Sequence, residues 1–71
     1  MTWGEYTRTP LRDLKGRHVR ALRRLASAAG VVFDVGQELM IDDKRAGFTL
    51  VDGGGRRIRR VQPTDVELVD A

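Results

Sequence analysis

Cysteine is absent from this chain of 71 residues, which excludes disulfide bonds and thiolate metal ligands. A secreted domain of this size usually needs such cross-links, so we expect a reducing, cytoplasmic compartment. No apolar run reaches the about 18 residues that a membrane-spanning helix requires. The first ten residues also lack the apolar segment of a secretory signal. These absences predict a small domain with no membrane partner.

Aromatic residues are scarce, numbering four: Trp3, Tyr6, Phe33 and Phe48. A chain this short buries only about 60% of the surface that its unfolded form exposes, so its core is thin. That core must therefore be built mainly from Val, Leu and Ile. Residues 1–8 show no periodicity, and we expect a flexible or loosely docked N-terminal arm before a single domain at residues 9–71. Trp3 either anchors this arm on the domain or stacks on a base of nucleic acid, and the first interpretation is favoured.

Short apolar-polar alternations separated by turn residues fill the sequence after Gly36, a pattern typical of β-strands. A charged turn is expected at residues 42–45 and a glycine-rich hairpin loop at 52–55. Pro63 predicts a tight or 3₁₀ turn at residues 62–65. The strands themselves are expected at residues 38–41, 47–51, 56–61 and 66–69.

The segment 10–29 fits either a helix or a strand. Thr9 and Pro10 suit a helix start, and apolar residues follow a 3.6-residue period, but Gly16 would cost about 1 kcal/mol inside a helix. As a strand over residues 17–25, the segment would turn Val19 and Ala21 inward and need a bulge at Leu22. Two folds therefore stay open. The first fold is mainly β, a small five-stranded barrel, and it favours the strand because the barrel needs one further long strand to close. The alternative fold is α+β, with helix 10–29 packed on a three- to four-stranded antiparallel sheet.

Residues 61–68, Val-Gln-Pro-Thr-Asp-Val-Glu-Leu, resemble the Val-Pro-x-x-x-Val-x-Leu closing segment of Src-homology-3-like small β-barrels. Residues 36–39 resemble the Gly-x-x-Leu that enters their second strand, and residues 16–25 are similar to the opening strand of short uncharacterised phage and prophage proteins. The resemblance covers about residues 16–69 and implies a barrel. It does not imply binding of proline-rich peptides, because Asp65 stands where a groove tyrosine is expected.

No set of residues in the sequence has the spacing of a catalytic or metal site. His18 is the only histidine and has no nucleophile or carboxylate at a fixed local spacing. Asp42 and Asp43 would point to opposite faces of a strand. The Gly53-Gly54-Gly55 run lacks the Lys-Ser/Thr of a phosphate-binding P-loop. We therefore predict a protein that is not an enzyme, with no cofactor and no metal.

Basic residues are clustered more than the net charge of +3 suggests, because residues 1–30 contain seven basic residues and two acidic ones. A second cluster brackets Ile58, where alternation should expose Arg57 and Arg59. Such arginines either protect an exposed strand edge or bind phosphates. We hypothesise a non-catalytic, nucleic-acid-binding accessory protein that contacts DNA or RNA phosphates. The alternative is a phage-type protein-interaction module, an inhibitor or adaptor acting on a host complex, and the oligomeric state stays open. The predicted phosphate contacts are Arg20, Arg23, Arg24, Arg57 and Arg59.

Overall fold

The computed structural model describes residues 1–69 and is mainly β. Two short helices, α1 (Trp3–Arg8) and α2 (Leu11–Leu14), precede the strands. A 3₁₀ turn at Pro63–Asp65 leads into the last strand, as the position of Pro63 predicted. The strands are β1 (His18–Ala21), β2 (Leu25–Ala26), β3 (Val32–Phe33), β4 (Glu38–Lys44), β5 (Phe48–Val51), β6 (Arg57–Val61) and β7 (Val66–Leu68).

Five of the strands form one antiparallel sheet in the order β6-β5-β4-β1-β7. The mainly β class and the five strands agree with the first fold prediction. Strands β6 and β7 are the edges of this sheet and do not pair with each other in the described part of the chain. The connection between β1 and β4 holds the separate β2-β3 pair. That connection brings residues 23–29 close to β6.

Alternation along the strands separates a buried face from an exposed one. In β1, Val19 and Ala21 are buried while His18 and Arg20 are exposed, as the strand interpretation predicted. Each fully buried aliphatic side chain stabilises the fold by about 1.5–3 kcal/mol. The core is aliphatic apart from two phenylalanines, as the composition predicted. It consists of Leu14, Val19, Ala21, Leu25, Phe33, Leu39, Ile41, Phe48, Leu50, Ile58, Val61 and Val66.

The alternative of one helix over residues 10–29 is wrong. Helix α2 has four residues and ends before Gly16, whose φ of +86° is incompatible with a right-handed helix. The amide of Gly16 instead donates to the carbonyl of Ile41 in β4, 2.8 Å away. The predicted strand over 17–25 is also shortened, because the chain leaves the sheet after Ala21. The amide of Leu22 then donates to the carbonyl of Asp65.

The charged turn expected at residues 42–45 begins later in the structure. Strand β4 continues through Lys44, and the amide of Arg45 donates to the carbonyl of Gly47 to close the turn. Asp42 and Asp43 therefore lie within the strand, at a shift of register that follows Ile41. The hairpin loop after β5 is as predicted, and Oδ1 of Asp52 accepts bonds from the Gly54 and Arg56 amides.

Residues 1–8, where we expected a flexible or loosely docked arm, contain a capped helix with defined contacts. The Thr2 and Glu5 side chains each accept a bond from the other residue's backbone amide, which is a capping box. The Tyr6 hydroxyl donates to the Gly47 carbonyl and accepts from the Gly47 amide. The ring of Trp3 packs edge-on against Tyr6, whose own ring meets Phe48 in the core. Trp3 thus lies in the contact that holds α1 to the sheet.

None of the helices in residues 1–69 is both long and apolar enough to cross a membrane.

Candidate functional site

A groove lies between residues 23–29 and β6. It consists of two adjoining hollows of about 370 and 530 Å³ that share Ala26, Ile58 and Arg59. Residues 23–29 form one wall, residues 57–62 form the other, and Asp65 lines the smaller of the two hollows. The side chains of Leu25, Ile58 and Val61 are at most 4% exposed and form an apolar floor. All the arginines of the groove are exposed above that floor.

Strand β6 places two consecutive arginines in the groove because its alternation is broken. Arg60 has a left-handed φ of +59°, and the register with β5 shifts between Phe48 and Leu50. A regular strand would have put Arg60 on the same face as Ile58. The irregularity instead exposes Arg59 and Arg60 together and returns Val61 to the core.

The groove holds more positive charge than the whole protein. Among residues 1–69 it is lined by five arginines, 23, 24, 57, 59 and 60, and by one carboxylate, Asp65, for a formal charge of +4. The complete chain carries +3, so the remainder of the chain carries −1. The net positive charge of the protein is therefore concentrated at this one surface, which focuses the potential there.

Two of these arginines are held by acidic side chains. Arg23 makes a two-pronged contact with Asp65, at 2.8 Å from Nε to Oδ1 and 2.9 Å from Nη2 to Oδ2. The hydrogen bond that Arg23 donates to Asp65 raises the pKa of Arg23, and the negative charge of Asp65 acts in the same direction. Arg57 contacts Asp42 at 3.2 Å on the neighbouring surface. These carboxylates fix the direction of two guanidinium groups but also neutralise part of their charge.

The other three arginines of the groove, Arg24, Arg59 and Arg60, form no ion pair within residues 1–69. Their guanidinium groups keep all their donors available for a ligand. Guanidinium groups match the geometry of phosphate oxygens, to which they can donate two parallel hydrogen bonds. The groove can therefore bind anionic ligands, phosphates in particular.

Four of the five arginines predicted as phosphate contacts line the groove: Arg23, Arg24, Arg57 and Arg59. Arg20 does not. It lies on β1 and pairs with Glu67 of β7 at 3.0 Å. Sequence reasoning missed Arg60, because regular alternation puts it on the same side as Ile58, at the end of the strand. No local signal in the sequence marks Arg60, because its exposure depends on the irregular pairing of β5 with β6.

The residues that we had considered for catalysis or metal binding do not form a site. His18 lies 3.8 Å from Glu38, and both side chains are more than half exposed. The carboxylate of Asp42 forms an ion pair with Arg57. Within residues 1–69, no group of three or more histidines and carboxylates is placed to hold a metal ion.

Comparison of the chain with protein-family models, with curated proteins and with solved structures finds no significant match.

Proposed function

We propose that the protein is a non-catalytic module that binds nucleic acid through phosphates held in the groove. The observation that carries the proposal is the charge of +4 along one groove in a chain of net charge +3. Neutralising phosphates with arginines releases the counterions condensed on the nucleic acid, and this release drives binding at low salt. The predicted role of Arg20 is not part of this proposal, because Arg20 lies outside the groove.

We also propose that the fold is a Src-homology-3-like small barrel, related to short phage and prophage proteins and working in the cytoplasm. Two features support the barrel: the last strand lies beside the first, and a 3₁₀ turn precedes the last strand. The residues that line the groove include no aromatic side chain. Grooves that recognise proline-rich peptides are lined by aromatics, so this lining favours phosphate over such a peptide.

Fluorescence anisotropy of labelled DNA and RNA oligonucleotides tests the proposal. The groove variant Arg24→Gln/Arg59→Gln removes two unpaired charges, one from each wall. The control Lys15→Gln/Arg17→Gln removes two exposed charges that do not line the groove. We expect affinity at about 50 mM salt to fall at least about tenfold in the groove variant and by less than about threefold in the control. Circular dichroism would establish that both variants are folded.

Two results would contradict the proposal. Equal losses in the groove and control variants would mean that only net charge matters. Absence of binding at low salt would exclude nucleic acid as the ligand and favour the alternative, a protein-interaction module. A complex of that kind should survive an increase from about 50 to about 200 mM salt, because a packed protein interface does not depend on counterion release.

A further inference from the structure

The arginines of the proposed phosphate site lie on two facing walls rather than on a projecting surface. Arg24 belongs to the wall formed by residues 23–29, while Arg59 and Arg60 belong to β6. The apolar floor between the walls is lower than the guanidinium groups, because Ile58 and Leu25 are buried. A ligand that contacts all three unpaired arginines therefore spans the groove from one wall to the other.

A duplex is poorly suited to such a site. It carries its phosphates on a stiff rod with a persistence length of about 150 base pairs, so it does not bend into a short groove without cost. Proteins that read duplex DNA in the major groove insert a helix or a two-stranded ribbon there. In residues 1–69 the longest helix has six residues. The tip of the β5-β6 hairpin is Gly53-Gly54-Gly55, and the following Arg56 is tied to Asp52 at 2.8 Å.

We infer that the groove takes a single strand of nucleic acid, with phosphates contacting Arg24 on one wall and Arg59 and Arg60 on the other. This inference rests on the proposed function and specifies its ligand. A single strand bends freely, and basic grooves that follow its backbone are a common means of binding it. Arg23, which Asp65 holds at 2.8 Å, lines the same hollow as Arg24, Arg59 and Arg60.

The residues that line the groove also predict its sequence specificity for nucleic acid. Proteins that stack bases use aromatic side chains, each contributing about 1–3 kcal/mol. In the described part of the chain, residues 1–69, no aromatic residue lines this groove. The strand is therefore held by its phosphates alone, and affinity depends on charge rather than on base identity.

The test compares one labelled strand of about 12 nucleotides, within the range that small single-strand-binding domains cover, with the duplex formed from it and its complement. We expect the single strand to bind at least about tenfold more tightly at low salt. Arg24→Gln and Arg59→Gln, one for each wall, should each weaken single-strand binding several-fold, whereas Arg17→Gln should not. Homopolymers of thymidine and adenosine should bind within about threefold of each other.

The outcomes separate this inference from the proposed function. Equal or tighter binding of the duplex, weakened by the same groove variants, would overturn the single-strand inference and leave nucleic-acid binding in place. Single-strand binding that neither wall variant weakens would overturn the groove as the site. Failure of both ligands to bind would overturn the inference and the proposed function together.

Discussion

Gly47 should be the glycine least tolerant of substitution, because its conformation and its surroundings both exclude a side chain. Its φ of +106° lies in the left-handed region, and a Cβ added there would lie 2.6 Å from the carbonyl oxygen of Val61. Real Cβ atoms do not approach a backbone atom so closely. The neighbouring Arg60 has the left-handed φ that exposes it in the groove. Gly47→Ala therefore strains the same β5-β6 irregularity that shapes the site.

Comparing alanine substitutions at three glycines separates the two sources of lost stability in Gly47→Ala, backbone strain and steric clash. Gly53 has no positive φ and has open space around it, so Gly53→Ala should change stability by at most about 1 kcal/mol, in the stabilising direction. Gly16 has a φ of +86° but also open space, so Gly16→Ala should cost about 1–2 kcal/mol from backbone strain alone. Gly47→Ala adds a backbone clash worth about 1–3 kcal/mol, for a total of about 2–5 kcal/mol.

Urea denaturation followed by circular dichroism measures these costs. A domain of this length has a total stability of about 4–10 kcal/mol, so Gly47→Ala should lower the midpoint severely, Gly16→Ala moderately and Gly53→Ala not at all. If Gly47→Ala were no less stable than Gly16→Ala, the close approach of Gly47 to Val61 would be refuted.

Three further predictions concern single side chains. Asp65→Asn removes the one carboxylate that lines the groove among residues 1–69 and releases Arg23, so anisotropy should show nucleic-acid binding tightened several-fold; unchanged or weaker binding would contradict a role for groove charge. The hydrogen bond from Arg56 lowers the pKa of Asp52. The ionised Asp52 therefore stabilises the folded protein fully at pH values above the ordinary aspartate range. This stabilisation is lost as the pH falls through the lowered pKa. Urea midpoints measured across acidic pH should therefore fall less steeply in Asp52→Asn than in the wild type, and parallel curves would exclude the effect. Tyr6→Phe removes both hydrogen bonds to Gly47 and should cost about 1–2 kcal/mol in urea denaturation, whereas no loss would show that α1 is not held by them.

The strands after Gly36 could be predicted from the sequence because their apolar residues alternate and their turns contain glycine or proline. Residues 10–29 could not be assigned in the same way, since their apolar spacing also fits a helix. What decides the outcome is a tertiary contact, the bond from the Gly16 amide to the Ile41 carbonyl. Helix α1 was missed although Thr2 and Glu5 have the spacing of a capping box, because the segment is short and has no apolar period.

The candidate site was predictable in part. Arg23, Arg24, Arg57 and Arg59 were identified by clustering and strand alternation, and the structure brings them to one groove. Arg60 was not predictable, since it is exposed by a register shift that no single segment encodes.

The sharpest test of phosphate binding in the groove is the salt dependence of single-strand binding. Three arginines of the groove, Arg24, Arg59 and Arg60, form no ion pair within residues 1–69. Each phosphate neutralised on a single strand contributes about −0.7 to the slope of log affinity against log salt, which predicts a slope of about −2. The slope should fall to about −0.7 in Arg24→Gln/Arg59→Gln and stay unchanged in Lys15→Gln/Arg17→Gln. A slope near zero in the wild type, or equal slopes in the two variants, would contradict binding of phosphates in the groove.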